Sequence, residues 1–193
     1  MTATPVSLDS VSAAMTFLDD LASRQAAPGG GAGAAMSAAL AAALVAMVAR
    51  SSSRLPDADA MADEADRWRA RAVELIDEDG RNYAEVVVAE RERERDPARF
   101  QAAVAGANRA PGEVVGLADR ITQVGSRLVE VGAPRLRGDA IAAVILGASA
   151  ASAATELIGL NTAYGQLADD EVGLARDRRD ACQARADRVR TVR

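Results

Sequence analysis

Histidine and lysine are both absent from this 193-residue sequence, and Cys182 is its only cysteine. Each absence closes off a class of chemistry. Without histidine there is no His-dependent triad, and one cysteine cannot supply a His/Cys set for zinc, so no metal site is expected. Without lysine there is no Schiff base and no phosphate-binding Walker lysine. A lone cysteine forms no internal disulfide, which suits a reducing cytoplasm. The opening MTATPVSLDSVS has neither a basic n-region nor an apolar h-region, so no secretory leader is expected. All 23 basic residues are arginine, against 28 acidic ones, and the net charge is −5. No basic face can dominate such a surface, which argues against a nucleic-acid partner. Catalysis is left to carboxylates, Arg, Tyr, Ser, Asn, Cys182 and backbone dipoles.

Aromatics are also scarce, at 3%, although 49% of the residues are hydrophobic. Alanine supplies much of that fraction. Small side chains let helices approach closely, so the composition points to an all-α fold. The expected architecture is a single bundle of five to six helices in one domain over residues 1–193. Apolar residues recur at helical spacing, and strictly alternating β-branched runs are missing. Helices are expected over 10–24, 31–52, 57–95, 97–131 and 139–167, with Pro111 kinking or dividing the fourth. A charged helix over about 169–192 should lie outside, its end fraying or packing on a partner subunit. The two Ala-rich helices, 31–52 and 139–167, should be central and mutually packed. The first is long enough to be weighed as a membrane span. Alanine is only marginally apolar in lipid and no aromatic belt flanks it, so no membrane partner is expected.

Two features carry candidate chemistry. The first is PGGGAG, residues 28–33, at the start of an Ala-rich helix. The first amides of a helix lack intrahelical partners and carry the positive end of its dipole. Glycine lets a ligand come close to them. Gly29, Gly30 and Gly31 therefore form either a cradle for an anionic or polar group or a turn feeding a tightly packed helix. The second is Asp79. The stripe Met61, Ala65, Trp68, Ala72, Leu75, Asp79, Tyr83, Val86 steps by three and four, and Asp79 falls where an apolar residue belongs. A carboxylate there either has a raised pKa or finds a partner such as Arg50 or Arg54. Asp139 is well placed as the N-cap of the last Ala-rich helix. Tyr83 suits either core or ring stacking, Glu156 suits an inter-helix hydrogen bond, and Cys182 is incidental.

These residues resemble the cyclodeaminase/cyclohydrolase family, the C-terminal domain of formiminotransferase-cyclodeaminase and its stand-alone relatives. The likeness runs through FLDDLASRQAAPGGGAGAAMSAALAAALVAMVA (17–49), ELIDEDGRNYAEVV (74–87), Pro111, Asp139 and Asn161, over about residues 10–175. It implies an all-α homodimer acting on a tetrahydrofolate one-carbon derivative as substrate, with no separate cofactor. It implies two activities: cyclisation of 5-formiminotetrahydrofolate with loss of ammonia, or hydrolysis of 5,10-methenyltetrahydrofolate. It also implies catalytic roles for Asp79 and Asp139, and substrate contacts from Gly29, Gly30, Gly31, Tyr83 and Asn161. Arg54 would supply a positive charge where relatives carry lysine. The chain departs from the family pattern at Gly138, where relatives have serine, and at Leu157, where they have asparagine. A binding or structural relative without turnover is the alternative.

Overall fold

The computed structural model describes residues 8–191. Met1–Ser7, part of the stretch on which the expected absence of a leader rests, and the last two residues lie outside that range. The described residues form seven α-helices and one short 3-10 turn, with no strand among them. The helices are α1 (Leu8–Ala22), α2 (Gly30–Arg50), α3 (Ala58–Glu90), α4 (Pro97–Ala107), α5 (Arg109–Val131), α6 (Arg137–Gly165) and α7 (Asp170–Thr191). Six of them, α2–α7, build the bundle. The fold is all-α.

The two Ala-rich helices lie at the centre. α2 packs on α3, α5 and α6, and α6 packs on α2, α5 and α7. Ala35, Ala38, Ala42 and Ala49 of α2 and Ala143, Ala151 and Ala154 of α6 belong to one continuous core. Both helices are long and apolar enough to cross a membrane by length and composition, and both are used here as packed helices of the bundle. Close approach also depends on glycine. A Cβ on Gly125 of α5 would lie 2.9 Å from Val144 Cγ2, and one on Gly147 of α6 would lie 2.8 Å from Thr122 Cγ2. The α5–α6 crossing is therefore closed by a reciprocal pair of missing side chains.

The stripe on α3 behaves as expected up to its functional end. Met61, Ala65, Trp68, Ala72, Leu75 and Val86 are buried. Arg71 fastens the flank of α3, beside the buried stripe, to α5. It grips Glu113 through two hydrogen bonds of 2.7 and 2.8 Å and also binds Glu74 and Glu78. That contact holds the Glu78 carboxyl below its ordinary range.

Three expectations change. The expected fourth helix is divided, but the break falls at Asn108, and Pro111 sits inside the first turn of α5. There its missing N–H costs nothing. Asp139 is not an N-cap: a 3-10 turn, Pro134–Leu136, feeds α6, whose N-cap is Leu136. Asp139 is the third helical residue, where its charge still favours the positive end of the helix. α7 is not a loosely held outer helix. Val172, Ala175, Cys182, Ala186 and Val189 are all buried against α5 and α6 of the same chain. Arg185 pins it to Asp119 at 2.5 Å.

Candidate functional site

A cleft of about 290 Å³ opens where the 26–29 loop, the first turn of α2, the middle of α3, the α4–α5 junction and the end of α6 converge. Gly29, Gly30, Gly31, Asp79, Tyr83 and Asn161 all line it. Six sequence-predicted positions from three separate segments are thus brought to one place. Arg54 and Asp139 are not. Arg54 lines a different cleft beside the 132–134 turn. Asp139 lies at the start of α6 and Asn161 near its end, so about 33 Å of helix at ~1.5 Å per residue separates them. Asp79 and Asn161 meet beside the C-terminal end of α6, whereas Asp139 lies in its first turn.

The glycines and Asp79 explain one another. Gly29 is the extended N-cap of α2, with φ −132° and ψ −155°, and it offers no side chain to cap the helix. Gly30 and Gly31 are already helical, and no described glycine has a positive φ. So Gly31 is not needed for a left-handed turn. It is needed for space: a Cβ there would lie 2.0 Å from Asp79 Oδ1 and 2.4 Å from Cγ. The Asp79 carboxyl rests directly on the bare backbone of the first turn of α2.

The electrostatics follow. Burial pushes the Asp79 carboxyl above its ordinary value, and a hydrogen bond from the Ala32 backbone N–H opposes that shift without cancelling it. Among the described residues, no arginine pairs with it. Arg50, one expected partner, is paired with Asp66 instead, and Arg54 lies in the other cleft. The cradle for an external anion is therefore revised: the chain's own acid occupies that end of the helix. The cleft wall contains no basic residue. Its apolar lining is Ala26, Ala27, Ala107, Pro111 and Leu157. Such a site suits a group that is cationic or that exchanges a proton, framed by apolar surface.

Tyr83 stands one turn beyond Asp79 on α3. It is 47% exposed, so it is a rim residue and not core. Asn161 faces the cleft from α6, one turn beyond Leu157, and a Cβ on Gly30 would touch Leu157 at 3.6 Å. Sequence reasoning did not single out Ala26, Ala27 or Ala107, since small apolar residues carry no chemical signal. Pro111 was visible as a helix breaker and as part of the family likeness, not as a cleft residue.

A family model described as formiminotransferase-cyclodeaminase matches residues 13–178. The chain belongs to this family. Among solved structures, formiminotetrahydrofolate cyclodeaminase from Thermotoga maritima superposes with a TM-score of 0.80 at 21% identity, with 95% of each chain covered. That likeness establishes a shared folate cyclodeaminase-like fold. No curated protein sequence matches the chain. The family match ends at residue 178, part-way along α7, and contains the whole Asp79 cleft.

Other expected details find places outside the cleft. Glu156 bonds Arg179 of α7 across the helix interface at 3.5 Å, as an inter-helix partner. Cys182 is fully buried, 3.5 Å from Thr122 Oγ1, and burial raises its thiol pKa. Among the described residues, no three His, Cys, Asp or Glu side chains are grouped to hold a metal ion.

Proposed function

We propose that this chain is a folate one-carbon enzyme that cyclises 5-formiminotetrahydrofolate with loss of ammonia, using Asp79 as the proton-transfer group. One observation carries the proposal: a carboxyl with a raised pKa rests on Gly31 inside a cleft that holds no cation. Ring closure bonds N10 to the formimino carbon and breaks that carbon's bond to the terminal nitrogen. With the formimino group bound as its protonated amidinium, the one proton lost from N10 equals the one gained by the departing ammonia and the positive charge passes to the bridge, so one carboxyl that gives and regains a proton is sufficient. The product bridge is an amidinium-like cation, which an ionised Asp79 would stabilise. Tyr83, on the rim, is placed to stack on the pterin, and Asn161 and the Gly29–Gly30 backbone to hold its polar edge. Asp139 and Arg54 would join the reaction only from a second copy of the chain. The enzyme would work without a further cofactor, as a homodimer in the cytoplasm, with no nucleic-acid or membrane partner.

One observation favours a second reading. Leu157 lines the cleft where the family pattern carries asparagine, which removes a polar contact and suits a binder without turnover. The test is formation of the methenyl chromophore from 5-formiminotetrahydrofolate. The wild type should form it, and Asp79→Asn should be about 10²–10⁴-fold slower, the usual share of a positioned acid. Saturable binding without chromophore would establish the binder. Loss of chromophore when methenyltetrahydrofolate is supplied would point to hydrolysis instead. Equal rates in wild type and variant would remove Asp79 from the mechanism.

A further inference from the structure

A second cleft, of about 270 Å³, lies behind the first turn of α5, between α5, α6 and α7. The two clefts share a wall: Ala107 and Pro111 line the first, and Asn108, Arg109 and Gly112 the second. Its making is visible in two glycines one turn apart on α5. A Cβ on Gly112 would meet nothing within 4 Å, so the missing side chain is open space. A Cβ on Gly116 would lie 3.7 Å from Arg178 Nη1, so the guanidinium of α7 reaches across onto that glycine.

Three of the six arginines on α7 are paired among the described residues. Arg179 is paired with Asp180 and Glu156, Arg185 with Asp119, and Arg190 with Asp187. Arg178 and Arg109 line the cleft from two helices, and neither makes an ion pair among the described residues. Glu171 is the one acid on the wall, leaving an excess of positive charge. Val115, Ile158 and Leu174 make the rest of the lining apolar.

We propose that this cleft binds a small amphipathic carboxylate, its anionic head held by Arg109 and Arg178 and its apolar body seated over Gly112 against Val115, Ile158 and Leu174. Planar guanidinium groups match a carboxylate through paired N–H donors, and the apolar lining favours an organic body over a bare inorganic anion. The site is separate from the Asp79 cleft, so its failure would leave the folate proposal standing.

The test titrates the full chain with benzoate, with neutral benzamide of the same shape, and with inorganic phosphate, followed by backbone amide NMR. Benzoate should bind saturably and move the amides of Gly112, Gly116 and the Leu174–Arg178 turn. Benzamide and phosphate should each bind at least tenfold more weakly. Arg109→Gln and Arg178→Gln should each weaken benzoate about tenfold with the thermal midpoint unchanged. Gly112→Leu should fill the cleft and abolish binding while the helical circular dichroism stays intact. No saturable benzoate binding would overturn the proposal. So would benzamide or phosphate binding as tightly, or benzoate binding unaffected by the arginine and Gly112 variants.

Discussion

Gly31 and Asp79 form a pair in which each residue accounts for the other. An acid on the apolar stripe of α3 needs both space and a hydrogen-bond donor, and the first turn of α2 supplies them only if residue 31 lacks a Cβ. Gly31→Ala is therefore a sharp probe. The overlap at 2.0 Å falls on the end of a mobile side chain, not on backbone, so Asp79 can swing aside while the fold survives. Alanine also favours the helix by about 1 kcal/mol over glycine. The expected outcome is a variant with near-wild-type thermal stability and formation of the methenyl chromophore slowed at least a hundredfold. Stability and rate falling together would mean that Gly31 serves packing alone. Asp79 was legible in the sequence as a misfit in a regular stripe. Its resting place was not, because the counterpart is an absent side chain 48 positions away, and an absence has no periodicity.

At the scale of helices, the sequence was most informative where small residues cluster. α2 and α6 are central because alanine faces let their axes come close, and glycine does the same at the α5–α6 crossing. A Cβ on Gly125 would meet Val45 of α2 and Val144 of α6 at once. Val144 is β-branched and stiff, so it cannot turn away. Gly125→Val should destabilise the chain by about 1–3 kcal/mol, the usual cost of overpacking, measured by urea unfolding. An unchanged midpoint would show that this crossing is loosely packed. The missed details share a cause: local signals were outweighed by neighbours. Asp139 looks like a cap until Pro134 winds the 3-10 turn that starts α6 earlier. The five-residue stripe of α7 is readable in the sequence but thin among its charges, and it is enough to hold a helix when two helices receive it. Tyr83 continues the stripe in sequence but lies past the point where α2 covers α3.

For the whole molecule, stability and activity should pull against each other at Asp79. Burial raises its pKa in the folded chain above the unfolded value. The folded state then holds the proton more tightly, so the stabilising contribution is full below the unfolded pKa and lost as pH rises through the folded one. Asp79→Asn removes this dependence. Its melting temperature should exceed that of the wild type at neutral pH, and the gap should narrow as the solution is acidified. A variant less stable than the wild type at neutral pH would mean that the carboxylate is a structural anchor. Function converges on the same group: six predicted positions meet in one cleft, and one acid there has no cationic partner among the described residues. The most direct measurement is a carbon NMR titration of the Asp79 carboxyl, assigned by its loss in Asp79→Asn. The account predicts a midpoint above the ordinary aspartate value of about 3.9. A midpoint at or below that value would contradict it, because the carboxyl would then be a solvated or paired anion with no proton to give.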